Sequence, residues 1–154
     1  MDLFSILQNN LLISLGAGLL SIIYAIFLSY RVLSHERGDK KMNDISDAIE
    51  EGAVAYMKRQ YTVVAGIGLI ILVILYFAFG AITALGFLVG AVFSTIAGVV
   101  GMSIAVRSNI RTAQAAKKGL AQAFNLAFQG GAVTGLMVAG LALLSVGGFY
   151  ALLE

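Results

Sequence analysis

The sequence predicts an all-α integral membrane protein with four transmembrane helices. Of its 154 residues, 60% are hydrophobic and only 12% are charged, whereas a soluble domain of this length needs far more charge to cover its surface. The apolar residues form four runs of about 20 residues each, the length that crosses a bilayer as a helix. All ten Lys and Arg residues lie between these runs, in residues 31–59 and 107–118.

The first apolar run, residues 11–30, predicts the first span. Residues 1–10 carry one acid, Asp2, and no basic residue, so they lack the positive region of a signal peptide. Small residues recur along the run at steps of three and four. They are Ser14, Gly18, Ser21 and Ala25. Such a stripe lets another helix approach closely, and close packing drives helix association in lipid.

The segment 31–61 is polar at its start and amphipathic further on. Residues 31–43 have no apolar period and predict an aqueous loop, in which the single histidine, His35, is solvated. Residues 44–61 predict a helix with Asp44 as its N-cap and with acids near the positive end of its dipole. Those acids are Asp47, Glu50 and Glu51. The cap and dipole roles explain them, so no metal site is predicted here.

Residues 62–79 and 86–106 predict the second and third spans. The six residues between them, GAITAL at 80–85, predict a tight turn because they are short and apolar. The third span carries small residues four apart, a face suited to close helix packing. That face consists of Gly86, Gly90, Ser94 and Gly98.

Residues 107–129 predict one amphipathic helix that lies at the membrane surface or extends a span into water, because its polar face would be stranded in hydrocarbon. Its apolar face consists of Ile110, Ala113, Ala116, Leu120, Phe124 and Ala127. A positive cluster begins it, formed by Arg107, Arg111, Lys117 and Lys118. Residues 130–153 predict the fourth span, with a second small-residue face at Gly131, Gly135 and Ala139.

The distribution of charge predicts the orientation. Loops rich in Lys and Arg remain on the cytoplasmic side of a membrane, so residues 31–61 and 107–129 are predicted to be cytoplasmic. The N-terminus, the turn at 80–85 and the C-terminus then face outward. The same bias accounts for the basic residues without a nucleic-acid partner, and the bilayer is the predicted partner.

The four apolar runs contain no Asp, Glu, Lys, Arg or His. Because ionisable groups inside a membrane mark ion pathways, their absence disfavours an ion path made from these side chains. It also disfavours a rotary-ATPase ring subunit and a small four-span multidrug exporter, since both depend on a carboxylate within a span. The chain has no cysteine and no phosphate-binding loop of the GxxxxGK[ST] type. The sequence therefore predicts no catalytic, substrate-binding or metal-ligating residue.

Two stretches carry a resemblance to a known family. IRTAQAAKKGLAQAF, at residues 110–124, is followed by GGAVTGLMVAGLALL at residues 130–144, and ISDAIEEGAVAYMKRQY occupies residues 45–61. Both resemble the early part of membrane-bound pyrophosphatases, the ion-pumping inorganic diphosphatases, in that family's order and separation. The resemblance covers nearly the whole chain but only the first quarter or less of a family member.

The resemblance implies that the chain is one part of a larger membrane protein. In that family sixteen helices form two concentric rings, and the first four belong to the outer ring. Catalysis uses Mg²⁺, with K⁺ in some members, and aspartate-rich motifs of the DxGADLVGK and DNVGDNVGD kind, which do not occur here. The chain is therefore expected to be an amino-terminal scaffold segment of a homodimeric, prokaryotic pump that couples pyrophosphate hydrolysis to H⁺ or Na⁺ transport.

Two alternatives stay open. One is a complete small membrane protein that organises partner helices, and the other is a small channel or exporter built from several copies, since backbone carbonyls can also select ions. The apolar run ends one residue before Glu154, which favours truncation of a longer chain. Further sequence containing the aspartate-rich motifs would show that the chain is part of a pump and would exclude both alternatives.

Overall fold

The computed structural model describes the backbone of residues 3–153 and the side chains of residues 10–153. It confirms the all-α class. The chain forms four helices, α1 (Leu3–Leu33), α2 (Lys40–Phe79), α3 (Ala81–Ala116) and α4 (Leu120–Leu153). Each contains a stretch long and apolar enough to cross a membrane, and no strand occurs among the described residues.

Helix α4 is the centre of the packing. It contacts both α1 and α3, whereas α2 contacts only α3 among the described helices. Helix α4 runs antiparallel to both neighbours, because its residues Gly140 and Gly147 contact Gly18 and Leu15 of α1, and its residues Gly130 and Thr134 contact Ser108 and Gly101 of α3. The core where α1, α3 and α4 meet consists of Ala25, Leu28, Ala97, Ile104, Val133, Met137 and Leu141.

Helix α2 is a single helix of 40 residues, about 60 Å long, which is twice the thickness of the hydrocarbon core. The predicted helix at 44–61 and the predicted span at 62–79 are therefore one element. The predicted N-cap at Asp44 is wrong, because the helix begins at Lys40 and the side chain of Asp39 accepts from the N–H of Met42 at 2.9 Å. The first turn of α2 holds no acid.

This start of α2 also changes the roles of the three acids that follow. Asp47, Glu50 and Glu51 lie in the third and fourth turns, too far along the helix for the dipole interaction that the sequence predicted. Asp47 pairs instead with Arg37, and Glu50 pairs with Arg107.

The turn between α2 and α3 is shorter than the predicted segment 80–85. Gly80 alone joins the two helices, with a φ of 87° that favours glycine. Its N–H donates to the carbonyl of Tyr76, and its carbonyl accepts from the N–H of Ala84. Because residues 81–85 contain no helix breaker, they continue into α3.

The predicted amphipathic helix at 107–129 is two elements. Helix α3 continues without a break from the span to Ala116, and α4 begins at Leu120. Between them, the N–H groups of Lys117, Lys118 and Gly119 each donate to the carbonyl three residues earlier, which closes the last turn tightly. Gly119 has a φ of 144°, a conformation that the continuous helical pattern had concealed.

The break at Gly119 shifts the helical phase, and the predicted common apolar face is wrong on both sides of it, since Ala113 and Ala116 are already exposed before the break. Ile110 is buried as predicted, but Leu120 and Phe124 are 86% and 69% exposed. The buried face of α4 consists of Ala123, Leu126, Gly130, Val133, Met137, Gly140, Leu141 and Ser145.

Replacement of Gly119 should destabilise this turn. We expect Gly119→Ala to lower the free energy of unfolding by roughly 1–2 kcal/mol, because a Cβ disfavours positive φ. The control is Gly52→Ala, at a helical site on α2 where an added Cβ contacts nothing within 4 Å. That change should raise stability by roughly 0.5–1 kcal/mol. Thermal melting in detergent measures both, and equal shifts would contradict the backbone argument.

Candidate functional site at the polar end of the bundle

The polar groups gather at one end of the bundle, which we call the polar end. It consists of the last turn of α1, the loop at residues 34–39, the first turns of α2 and the residues on both sides of the turn at Gly119. Ion pairs join these parts. Glu50 of α2 accepts from Arg107 of α3 at 2.7 Å, and Lys117 donates to Asp39 at 3.1 Å.

The structure brings the predicted positive cluster together, but the cluster is not free. Besides Arg107 and Lys117, Lys118 lies 3.7 Å from Glu36. These ion pairs are largely exposed, and such pairs contribute about 0–1 kcal/mol each. The cluster therefore holds the loop at residues 34–39 against the ends of α3 and α4.

Arg111, the fourth member of the cluster, binds backbone carbonyls. Its Nε lies 3.1 Å from the carbonyl oxygens of both Leu33 and His35, and its Nη1 donates to the carbonyl of Arg107 at 2.6 Å. Leu33 ends α1, so Arg111 satisfies carbonyls that have no partner within that helix. Sequence reasoning missed this role because residues 33 and 111 are far apart in the chain.

Arg111 lies beyond the apolar run that ends at Val106. Its surroundings disfavour the charged form of its guanidinium. Partial burial lowers the pKa of Arg111, and repulsion from Arg37 and Arg107 adds to this effect. Attraction to Glu50 opposes it. Three guanidinium groups are thus held close enough to repel one another.

The pKa of Asp39 is held below its usual range, first by the N–H of Met42 and then by Lys117. A carboxyl whose pKa is lowered on folding stabilises the folded chain above its unfolded pKa. That contribution is lost as the pH falls through the folded pKa. Acid therefore weakens both the cap of α2 and the contact between Asp39 and α3.

Two cavities with polar linings open at the polar end. The larger, which we call the amide cavity, has a volume of about 450 Å³ and lies between α1, α3 and α4. Its polar lining includes Arg31, Ser34, His35, Glu36, Gln114, Lys118, Gln122, Asn125 and Gln129. The smaller has a volume of about 330 Å³ and is lined by Leu33, Arg37, Ser46, Glu50, Arg107 and Arg111.

The carboxylates of the polar end do not fit a Mg²⁺ site. Mg²⁺ requires carboxylate oxygens in octahedral geometry, but Glu36, Asp39, Asp47 and Glu50 each face a basic side chain. No group of three His, Cys, Asp or Glu side chains able to hold a metal occurs between residues 10 and 153. His35 is exposed, as predicted, and its Nδ1 donates to the carbonyl of Arg31.

The predicted packing faces differ in what they contact. An added Cβ at Gly86 would lie 3.0 Å from Phe149 of α4, and one at Gly98 would clash with the hydroxyl of Tyr61 on α2. At Gly90 it would meet nothing within 4 Å, and Ser94 is exposed.

Gly131, Gly135 and Ala139 lie on the exposed face of α4, where a Cβ at either glycine would meet nothing within 4 Å. They do not join the four helices to one another. Their packing role stays a prediction about other helices.

Two further close helix contacts involve α4 residues that the sequence analysis did not select. An added Cβ at Gly140 would lie 2.8 Å from the carbonyl oxygen of Gly18, and one at Gly130 would lie 2.6 Å from Oγ of Ser108. On α1 the predicted small-residue stripe is confirmed, because Gly18 and Ala25 are buried and Ser21 contacts Gly140. The buried positions 130, 133, 137 and 140 are spaced by three and four residues, and this helical spacing is the signal that could have identified the buried face of α4.

Comparison with known proteins decides the family. The family model described as inorganic H⁺ pyrophosphatase matches residues 19–154. The chain belongs to this family. It is 49% identical over 138 residues to a K⁺-insensitive pyrophosphate-energized proton pump of Methanosarcina mazei, a match covering 88% of the chain and 21% of that relative.

Other relatives of this pyrophosphatase family differ in the ion that their names specify. A K⁺-insensitive pyrophosphate-energized proton pump of Pyrobaculum aerophilum is 43% identical, over 86% of the chain and 19% of the relative. A putative K⁺-stimulated pyrophosphate-energized sodium pump of Clostridium tetani is 38% identical, over 84% and 19% respectively. The chain thus spans about a fifth of the length of these relatives.

Proposed function

We propose that this chain is the amino-terminal outer-ring segment of a membrane pump that couples pyrophosphate hydrolysis to the transport of H⁺ or Na⁺. The observation that carries the proposal is the family match at residues 19–154, together with coverage of about a fifth of pumps whose names specify that activity. The complete pump would use Mg²⁺, together with K⁺ if it belongs with the K⁺-stimulated relatives, and would act as a homodimer.

The segment's own role in this proposal is structural. One face of α4 packs on α1 and α3, and the opposite face presents Gly131, Gly135 and Ala139, all exposed. Small residues let another helix approach its backbone closely. We infer that a helix from the remaining part of the pump packs on this face.

The function is tested with the complete polypeptide that carries these residues, in membrane vesicles. Pyrophosphate and Mg²⁺ should drive H⁺ or Na⁺ uptake, and a nonhydrolysable analogue should not. The 154-residue chain alone should hydrolyse no pyrophosphate, because its residues 10–153 bring together no group of three carboxylate or imidazole side chains able to hold Mg²⁺. Turnover by the purified short chain, free of soluble pyrophosphatase, would contradict the structural role. Failure of the complete protein to hydrolyse pyrophosphate would contradict the function.

We further propose that the polar end faces the cytoplasm, since every Lys and Arg lies in residues 31–59 or 107–118. The chain has no native cysteine, so single cysteines can be labelled without background. We expect Lys41→Cys to react with an impermeant thiol reagent only after the cytoplasmic side is opened. Thr83→Cys, exposed at the opposite end, should react in intact cells. The reverse labelling pattern would show that the polar end faces outward and would contradict this proposal.

A further inference from the structure

The smaller cavity of the polar end, which we call the guanidinium cavity, is lined by three arginines. Arg37 comes from the loop at residues 34–39, and Arg107 and Arg111 lie one turn apart on α3. Glu50 is the single carboxylate in the lining, and it pairs with Arg107. Asp47 pairs with Arg37 from outside the lining. Even with both ion pairs counted, the guanidinium of Arg111 faces no carboxylate among the described residues.

Each of the three arginines keeps one terminal nitrogen without a partner. Nη2 of Arg37 contacts Asp47. Nε and Nη2 of Arg107 both lie 2.7 Å from Glu50, and Nε and Nη1 of Arg111 donate to backbone carbonyls. These contacts leave Nη1 of Arg37, Nη1 of Arg107 and Nη2 of Arg111 without a hydrogen bond among the described residues.

A fourth free donor in the guanidinium cavity comes from α2. Ser46 lines the cavity and is 7% exposed, yet its hydroxyl makes no hydrogen bond to any described residue. Nε of Arg37 also has no partner, but it is closed off from solvent, so a ligand cannot reach it. The hydroxyl of Ser46 and the free terminal nitrogens of Arg37 and Arg111 are not closed off in this way. They remain accessible to a ligand in the cavity.

The surroundings of the guanidinium cavity favour an anion. Besides partial burial, repulsion from Arg37 and Arg107 lowers the pKa of Arg111, and an anion between these groups would offset that repulsion. Arg107 directly follows the apolar run that ends at Val106, so the cavity opens at the depth of the lipid head groups. Basic pockets between transmembrane helices bind phosphate-bearing head groups at this depth.

We propose that the guanidinium cavity binds a terminal phosphate group, one with three free oxygens. The free nitrogens of Arg37, Arg107 and Arg111 donate to these oxygens, and Ser46 donates a further hydrogen bond. Guanidinium groups suit phosphate in charge and in geometry. The volume of about 330 Å³ lies within the range of small-molecule sites, about 300–1,000 Å³. Two sources carry this group, the head group of phosphatidic acid and inorganic phosphate.

The first test compares lipids bound to the complete polypeptide that carries this segment, in detergent, stripped of native lipid and treated with EDTA. Native mass spectrometry compares phosphatidic acid, phosphatidylglycerol and phosphatidylcholine with identical acyl chains. We expect phosphatidic acid to bind about tenfold more tightly than phosphatidylglycerol, because a phosphodiester lacks the third free oxygen and its charge. Phosphatidylcholine should bind most weakly, since its head group adds a positive charge. Equal affinity for the three lipids would overturn the proposal.

The second test identifies the source of the phosphate. A phosphate in the guanidinium cavity joins the loop at residues 34–39 to α2 and α3, so it should slow amide hydrogen exchange in that loop. Sodium phosphate is compared with sodium chloride at equal ionic strength, and phosphatidic acid with phosphatidylcholine. Slower exchange with sodium phosphate would identify inorganic phosphate as a ligand, and slower exchange with phosphatidic acid alone would assign the site to lipid. Unchanged exchange with both would overturn the proposal.

Matched variants separate binding from folding. Arg37→Gln and Asp47→Asn break the same ion pair, but only Arg37→Gln removes a donor from the cavity. We expect Arg37→Gln to weaken binding of phosphatidic acid about tenfold, and Asp47→Asn to preserve or strengthen it. Equal weakening by the two variants would show that the ion pair, and not the cavity, controls binding, and would contradict the site.

Ser46→Ala tests the site without disturbing an existing hydrogen bond. It should weaken binding of phosphatidic acid about threefold and should not lower the melting temperature of the ligand-free protein, because the hydroxyl has no partner to lose. Unchanged binding in Ser46→Ala would contradict the assigned contact. Since these assays contain EDTA and measure no hydrolysis, this proposal and the pump function can fail separately.

Discussion

Gly140→Leu should separate α1 from α4. At this position the two helix backbones are so close that an added Cβ would lie 2.8 Å from the carbonyl oxygen of Gly18 and 2.8 Å from Cγ1 of Ile22. A backbone carbonyl cannot move aside as a flexible side chain can. We therefore expect a cost of about 3 kcal/mol, the upper end of the range for overpacked sites, measured as a fall in melting temperature in detergent.

Gly135→Leu is the matched control, because it makes the same change on the same helix at a site with nothing within 4 Å. The readout specific to α1 and α4 is a thiol cross-link between Leu15→Cys and Gly147→Cys, positions that contact one another. Gly140→Leu should abolish the cross-link, and Gly135→Leu should preserve it. A preserved cross-link in Gly140→Leu would contradict the close approach.

The two variants also separate internal packing from packing against the rest of the pump. If Gly135→Leu lowers the melting temperature of the complete protein but keeps the cross-link, another helix covers the exposed face of α4. If it changes neither property, that face contacts lipid and the proposed packing role of Gly131, Gly135 and Ala139 is wrong. The small-residue spacing alone does not distinguish these outcomes.

The four helices were predictable because bilayer thickness sets their length, and apolar runs of that length leave few alternatives. The buried face of α4 was not predictable in the same way. A helix that is apolar all round has no polar side to mark its exposed face, so the sequence favoured the small-residue face at Gly131, which is exposed, and missed the buried face at Gly130. Only the contacts of α4 with Gly18 of α1 and with Gly101 and Ser108 of α3 distinguish the two faces.

The polar end shows a second limit of sequence reasoning. Arg107, Arg111, Lys117 and Lys118 are close in the chain, so their charge pattern is visible in the sequence. Their partners lie about 60 to 80 residues earlier, and no local pattern encodes that distance. The N-cap at Asp39 was missed for a local reason, since Lys40 and Lys41 follow it and basic residues are unfavourable in a first helical turn.

Arg111→Met should loosen the end of α1. The substitution keeps most of the side-chain length but removes the donors to the carbonyls of Leu33 and His35, each 3.1 Å from Nε. Hydrogen bonds from charged groups contribute about 1.5–3 kcal/mol. Water reaches this partly exposed site and can replace part of the loss. We therefore expect the free energy of unfolding to fall by about 1–2 kcal/mol.

The effect of Arg111→Met should be local as well as global. Amide hydrogen exchange should accelerate in the last turn of α1, where the N–H of Ser34 donates to Tyr30 and that of His35 to Val32, and change little near Gly80. Arg111→Lys should be intermediate, because one ammonium cannot reproduce the planar fork of the guanidinium. Arg59→Met, at an exposed position on α2, is the control for lost charge. If it matched Arg111→Met in both melting and exchange, general electrostatics would explain the effect and the carbonyl contacts would not.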